Sequence, residues 1–331
     1  MITIYDISKN SGYAPGTVSK ALNNYNGVNE KTRRKILETA KQMGYTPNAN
    51  ARALKAKHSY NIGVLFYIRD RLDLTQQLFL EILNEFKYVA ENAGYDITLL
   101  SKGNDVGTHA FVKHCHIRQL DGVLVFGDYT ADLVLELMTS DIPCIGLDYS
   151  GELISSVMSD NYEKTKELVL KLIEMGHERI LFLTGEDGYV ADERKRGYAD
   201  AFKQVNKERL PCVRVGYYNL EACAEATKKF YAELKPTAIL FPDDYSAIGG
   251  INALREMKLS IPNDVSVAAF DGSVFSQLTS PQLTCVCQDI QKMGRVLADK
   301  LIKEIEDGNS PKEQIVIPAT VKITDSCKAI K

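Results

Sequence analysis

The chain has 331 residues, 45% hydrophobic and 25% charged, which fits an ordinary globular protein with cores for two or three domains. No apolar run approaches the roughly 20 residues that span a bilayer, and the N-terminus is polar from Asp6 onward. The expectation is a cytoplasmic protein with no secretory signal and no membrane partner. Seven cysteines, at 115, 144, 212, 223, 285, 287 and 327, form no CxxC pair, which argues for reduced thiols over a disulfide framework.

The first fifty-odd residues carry the strongest local signals. Thr3 to Asn10 reads as a short amphipathic helix with Ile4 and Ile7 on one face, and Gly12 suits the tight bend after it. Pro15 fits the first turn of a second helix, Gly16 to Leu22, where Val18 and Leu22 are spaced i,i+4 to pack inward. Thr17, Ser19 and Lys20 remain as hydrogen-bond donors on its other face. A third helix opens at Asn29-Glu30, buries Ile36, Leu37 and Ala40, and stops at Gly44. Two helices joined by a Gly-containing turn and braced by a third make a helix-turn-helix. Charge points the same way. Residues 1–60 hold ten Lys/Arg against three acids, while the remainder holds thirty against forty. A basic head on an acidic body suits a module that meets nucleic acid at one end, although a helical bundle with a solvated basic face would also carry that charge.

Several stretches in this head resemble the lactose/galactose-repressor (LacI/GalR) family of transcription regulators: Ile4-Tyr5-Asp6-Ile7, Gly12, Thr17-Val18-Ser19-Lys20, Gly44-Tyr45-Thr46-Pro47-Asn48 and Ala51-Arg52-Ala53-Leu54. They keep the family's order and spacing. The resemblance implies a DNA-binding domain over 1–57 with a hinge helix at 48–56. The hinge is Ala-rich but shorter than the roughly 12–15 residues an isolated helix needs, so it folds only when held, or is a plain linker. The resemblance favours a hinge that pairs with its symmetry mate in the minor groove, with Ala51 in contact and Leu54 as the wedge.

From Ile62 the pattern changes to short apolar runs alternating with amphipathic ones. Buried parallel strands are expected at 62–66, 97–100, 123–126 and 144–147, with helices near 75–93, 108–118 and 130–140. A second series places strands at 180–183, 238–241 and 265–269 and helices near 161–175, 190–205, 220–234 and 244–257. The last helix is expected near 290–307, with strands near 315–317 and 321–324. The fold class is α/β: a three-helix reader and hinge, then two doubly wound parallel-sheet lobes. The resemblance implies a periplasmic-binding-protein-like pair of lobes, 60–158 with 288–317 and 159–287 with 318–331, crossed near Met158, Cys287 and Ile317.

Ligands of open α/β sheets bind beyond the strand C-termini, which selects Asp148, Asp243, Asp244 and Asp271. Each also has a plainer reading: Asp243 as a helix cap, Asp271-Gly272 as a turn, Asp148 as a loop acid, Arg194 as part of a solvated charged face. The resemblance assigns effector contact to Arg194, Tyr218, Asp243 and Asp271, and more loosely to Asp148 and Met158. A guanidinium and carboxylates can chelate neighbouring hydroxyls while an aromatic face covers a sugar ring. Asp243 stands where the family carries an amide, which removes a donor and adds charge. Cys285-Val286-Cys287 reads as packing and His114-Cys115-His116 as a helix end, so neither a metal nor a cofactor is expected.

At the DNA end, Ala14 replaces the family's capping Ser or Thr, and the two base-reading positions are Pro15 and Gly16. Direct readout then leans on Lys20, with apolar contact from Pro15. Tyr5, Thr17, Ser19, Asn23 and Thr32 would position phosphates. The expected partners are a near-palindromic double-stranded operator, a second copy of the chain and a small carbohydrate-like effector, in a bacterial cytoplasm at the nucleoid. No apolar heptad tail suggests a tetramer. Three rivals remain: a sugar receptor of the transport type, an α/β enzyme with a helical appendage, and a regulator answering to a protein partner. No nucleophile elbow, phosphate loop or GxGxxG supports the enzyme, so the expectation is a non-enzymatic regulator.

Overall fold

The first helix begins where Thr3 and Asp6 cap each other: Thr3 Oγ1 accepts Asp6 N–H at 3.3 Å, and the Asp6 carboxylate accepts Thr3 N–H at 2.8 Å. The structure is a computed structural model that describes residues 2–22, 26–45, 58–67, 76–101, 109–308 and 310–330. It divides into two units, Met1–Ser59 and Tyr60–Lys331. In the first, α1 (Ile4–Ser11) ends at Gly12, whose φ of 78° closes the helix in the left-handed region. The Ser8 hydroxyl donates to the Tyr13 carbonyl at 2.6 Å and fixes the turn into α2 (Pro15–Leu22). Asn29 caps α3 (Glu30–Gln42) by accepting Thr32 N–H at 2.8 Å.

Ile7, Val18, Ala21, Ile36 and Ala40 form the core of this unit. Leu37 departs from expectation, for it is 44% exposed. Ile36 and Ala40 already occupy the inward stripe of α3, and Leu37 lies about 100° round the helix from Ile36. The anticipated hinge at 48–56, with Ala51 and Leu54, and Asn23 after α2 lie outside the described residues.

The second unit contains two six-stranded sheets among its described residues. The first lobe is built from β1 (Asn61–Tyr67), α4 (Gln77–Asn92), β2 (Asp96–Leu99), α5 (Ala110–Arg118), β3 (Gly122–Gly127), α6 (Asp132–Met138), β4 (Cys144–Leu147) and β5 (Ser155–Ser159). The second is built from α7 (Asn161–Glu174), β6 (Ile180–Thr184), α8 (Tyr189–Gln204), β7 (Cys212–Arg214), α9 (Leu220–Leu234), β8 (Ala238–Leu240), α10 (Asp244–Glu256), β9 (Ser266–Asp271), α11 (Val274–Leu278) and β10 (Thr284–Cys287). The chain then returns through α12 (Ile290–Asp307) and β11 (Gln314–Ile317) and ends in β12 (Thr320–Lys322).

Strand order is β11-β5-β4-β3-β1-β2 in the first sheet and β12-β10-β9-β8-β6-β7 in the second. All pairings are parallel except β10 with β12. Alternate residues of one strand feed opposite faces: Val64 and Phe66 join the Phe86–Leu297 side, whereas Leu65 and Tyr67 join the Phe111 side. Helices cover both faces, so the strands read as continuous apolar runs. β5 is the exception. It is buried throughout yet contains Ser155, Ser156 and Ser159. The Ser155 hydroxyl donates to buried Glu304, and Ser156 Oγ accepts Tyr149 N–H at 2.9 Å, so the polar strand is satisfied inside.

Among the described residues the chain passes between the sheets after β5, after β10 and after β11. Two of these passages are tied together, because Ala319 N–H donates to Asp160 Oδ1 at 2.8 Å. No helix among the described residues is long and apolar enough to cross a membrane.

α7 and α8 lie close together at Gly197, where an added Cβ would lie 2.4 Å from the Tyr162 carbonyl oxygen. That oxygen is helix backbone and cannot yield. Gly197→Ala is therefore expected to lower unfolding stability by about 1–3 kcal/mol, read by denaturant unfolding of the full chain. An unchanged midpoint would show that the two helices can separate freely.

Candidate functional site

In the N-terminal unit, Tyr5 is 74% exposed, and Pro15, Gly16 and Lys20 at the start and outer face of α2 are exposed too. Thr17, Ser19 and Thr32 are half-buried. A Cβ at Gly16 would meet nothing within 4 Å, so this position offers bare backbone to whatever docks there. Arg33 is spent internally: its Nη1 donates to the Ala21 carbonyl at 3.3 Å and ties α3 to the end of α2.

In the second unit the organising side chain is Arg194, on the first turns of α8 and 4% exposed. Its Nε donates to Asn161 Oδ1 and its Nη1 to the Pro242 carbonyl, both at 2.8 Å. The guanidinium lies 3.6 Å over the Phe270 ring, with Tyr217 at 5.8 Å. It is therefore not on a solvated charged face.

Asp271 ends β9 with a φ of 93°, a conformation that L side chains rarely adopt. Its Oδ2 accepts the Tyr218 hydroxyl at 3.0 Å and its Oδ1 accepts the Gln288 amide at 2.8 Å. Asp148 stands just beyond β4 with a φ of 58°, and the nearby Ser159 backbone favours its charged form. Its Oδ1 is buried and has no partner among the described residues. Gln288 Oε1 and Tyr217 Oη are likewise buried without partners there.

Asp243 acts as the cap of α10. Its oxygens accept Ser246 N–H at 2.6 Å, the Ser246 hydroxyl at 2.8 Å and Tyr218 N–H at 2.9 Å. Asp244 accepts Ser273 N–H at 2.7 Å. Met158 meets the second lobe through Tyr189, whose hydroxyl donates to its sulfur at 3.3 Å. The Tyr218 ring packs against the first lobe's core cluster, the one containing Phe66 and Phe126, on which Phe79 also stacks.

Carboxylates from both lobes thus face one buried cation. Burial pushes Asp148 up to about 6, partly offset by Arg194. Burial and then the Asp271 charge push Asp243 up to about 7. Asp244 and Asp271 are also raised, chiefly by burial; Asp271 bears on Asp244, and Glu81 of α4 bears on Asp271 from the other lobe. No group of three or more His, Cys, Asp or Glu among the described residues is arranged to hold a metal ion. The arrangement is suited to gripping a hydroxyl-rich ligand between aromatic walls.

Residues 3–48 match the model for bacterial regulatory proteins of the lacI family, and residues 169–327 match a periplasmic binding protein-like domain. A Bacillus subtilis protein described as a probable HTH-type transcriptional repressor, ExuR, is 30% identical over all of this chain and 99% of its own. The chain belongs to the LacI family of bacterial regulatory proteins.

Solved structures agree on the fold. The Lac repressor dimer bound to operator and the anti-inducer ONPF superposes with a TM-score of 0.82 at 23% identity, covering 99% of both chains. The regulator CelR in complex with cellobiose gives 0.73 at 20% identity, over 98% of this chain and 100% of that one. Within this LacI-family body, Arg194, Asp148, Asp271, Asp243, Met158 and Tyr218 all converge between the lobes. Asn161, Tyr217, Gln288 and Glu81 join them without having been singled out by sequence. Asn161 and Gln288 each sit within two residues of a passage between the lobes, which is the signal that could have found them.

The raised carboxyls have a consequence for stability. The folded state holds protons that the unfolded chain releases near pH 4, so this contribution is complete in acid and fades as the pH climbs through about 6 and about 7. The thermal midpoint of the full chain should fall between pH 5 and pH 8, and Asp243→Asn, which keeps a capping oxygen, should flatten the slope. A midpoint that rises across that range in the unaltered chain would contradict the carboxyl environment described.

Proposed function

We propose that the chain acts as a homodimer in the bacterial cytoplasm, binding a near-palindromic operator through the exposed face of α1 and α2. Its affinity for DNA answers to a polyhydroxylated effector held between the two lobes. The observation that carries this reading is the buried Arg194 among carboxylates of both lobes, in a chain whose first 60 residues hold ten Lys/Arg against three acids. The operator and cellobiose of the two compared structures support it as precedents of the same fold.

Lys20 and Pro15 would meet base edges, and Gly16 would let the backbone approach closely. Tyr5, Thr17, Ser19, Asn23 and Thr32 would hold phosphates and so set register. Two-fold symmetry places half-sites about one helical turn apart. Ala51 and Leu54 would belong to the hinge of this reading, with Leu54 wedged into the minor groove. Effector binding biases the angle between lobes, and a marginal hinge helix converts that bias into order or disorder and hence into affinity.

Operator affinity of the full chain should fall by about 10³-fold or more between roughly 50 and 200 mM salt. A flat log–log plot in a filter or anisotropy assay would remove the electrostatic basis of the reading. Arg194→Ala should weaken effector response on the order of 30-fold or more, with DNA binding retained. Normal effector response in that variant would place the effector elsewhere.

A further inference from the structure

We propose that Cys285 and Cys287 form a peroxide-reactive thiol pair at the passage after β10, with Cys287 as the attacking sulfur and Cys285 as its resolving partner. This chemistry needs neither DNA nor effector.

Strand alternation puts residues 285 and 287 on one face of β10, and the two sulfurs meet there at 3.2 Å, within reach of a thiol–thiol hydrogen bond. The two positions are not equivalent. Cys285 is only 1% exposed, whereas Cys287 is half-buried at the last position of the strand. Gly272 beside it is half-buried too, and an added Cβ there would stand 2.7 Å from Cys287 Sγ. Bare glycine backbone thus leaves a gap next to this sulfur, and a gap of that size suits a small oxidant such as hydrogen peroxide.

The surroundings favour reaction at the same atom. A hydrogen bond from the Cys285 thiol and the Lys322 ammonium of β12 both stabilise a Cys287 thiolate and lower its pKa. The other six thiols are shifted upward, Cys285 by its contact with Cys287 and Cys115, Cys144, Cys212, Cys223 and Cys327 by burial. The Cys287 thiolate attacks one oxygen of the peroxide: an S–O bond forms, the O–O bond breaks, and the departing hydroxide takes a proton from solvent to become water. Cys285 then attacks the sulfenic sulfur. An S–S bond forms, the S–O bond breaks, and the released hydroxide leaves as a second water with the Cys285 proton. Two thiols are oxidised and one peroxide is reduced.

The bond has a structural consequence. Residues two apart in a strand, and their same-face Cβ atoms, are spaced by about 6.6–6.8 Å, whereas a disulfide needs Cβ atoms about 3.5–4.5 Å apart. Closing the bond therefore bends the end of β10, where Cys287 pairs with Thr320 of β12 and Asp271 of β9. A strained bond of this kind is readily reduced again, as regulatory disulfides are. The bend falls one residue before Gln288, whose amide donates to Asp271, and at a passage between the lobes. Oxidation there acts on a connection that joins the two lobes.

The test treats the reduced full chain with hydrogen peroxide, blocks remaining thiols, and follows by mass spectrometry the tryptic peptide 259–292, which contains these two cysteines and no other. That peptide should lose two hydrogens, regain them with dithiothreitol, and react about tenfold or more faster than any other cysteine. Cys285→Ser, or Cys285→Ala should the hydroxyl disturb the fold, should stop with one added oxygen on Cys287 that dimedone traps. Cys287→Ser should leave the peptide unchanged. In the oxidised unaltered chain, the amides of β10 and β12 should exchange hydrogen faster than in the reduced chain. A peptide that keeps its hydrogens while other cysteines oxidise overturns the proposal, as does a Cys287→Ser chain whose peptide oxidises like the original. Unchanged exchange in β10 and β12 once the disulfide has formed overturns the bend at the passage.

Discussion

One buried guanidinium sets the terms for the two-lobed body. Arg194 has left water, and a buried ion is tolerated only when its charge and its donors are met. Asn161 and the Pro242 carbonyl accept from two of its donors, Phe270 supplies a face, and Asp148 and Asp271 supply the opposing charge from different lobes. The lobes are therefore coupled through a long-range attraction on one side and a like-charge repulsion, Asp271 against Glu81, on the other.

Backbone conformation supports the same conclusion. Asp148 and Asp271 both adopt positive φ, at 58° and 93°, and non-glycine residues held there cost about 1–3 kcal/mol each. Both stand at the C-terminal ends of strands, where a doubly wound sheet presents its loops to a ligand. At Gly272 an added Cβ would lie 2.7 Å from Cys287, so β9 and β10 run close together where the chain is about to cross. Strain, crossing points and carboxylates thus occupy one region, and motion between lobes must be felt there first.

Much of the fold was legible in the sequence because its strands are buried on both faces and its helices are long. The helix expected near 220–234 is Leu220–Leu234, and that near 290–307 is Ile290–Asp307. What escaped was short or polar. Ser155–Ser159 lacks an apolar run because its serines are satisfied internally, and Cys212–Arg214 and Val274–Leu278 are too brief for periodicity to register. At the site, strand ends located the aspartates, and family likeness separated Arg194 from its charged neighbours. Asn161, Tyr217 and Gln288 carry no local pattern, since they are brought to the cleft by the passages between lobes and by a turn. Tyr218 was expected as a ring for a sugar. The fold uses its hydroxyl on Asp271 and packs its ring against the first lobe.

The most direct measurement is a carboxyl titration of the full chain, labelled with ¹³C at the aspartate side chains and followed by NMR. Asp148 should titrate at about 6 and Asp243 at about 7, with Asp148 moving higher when Arg194 is replaced by Met. If both titrate near the ordinary value of roughly 4 and Asp148 does not respond to that replacement, the cleft is neither buried nor governed by that cation, and the account fails.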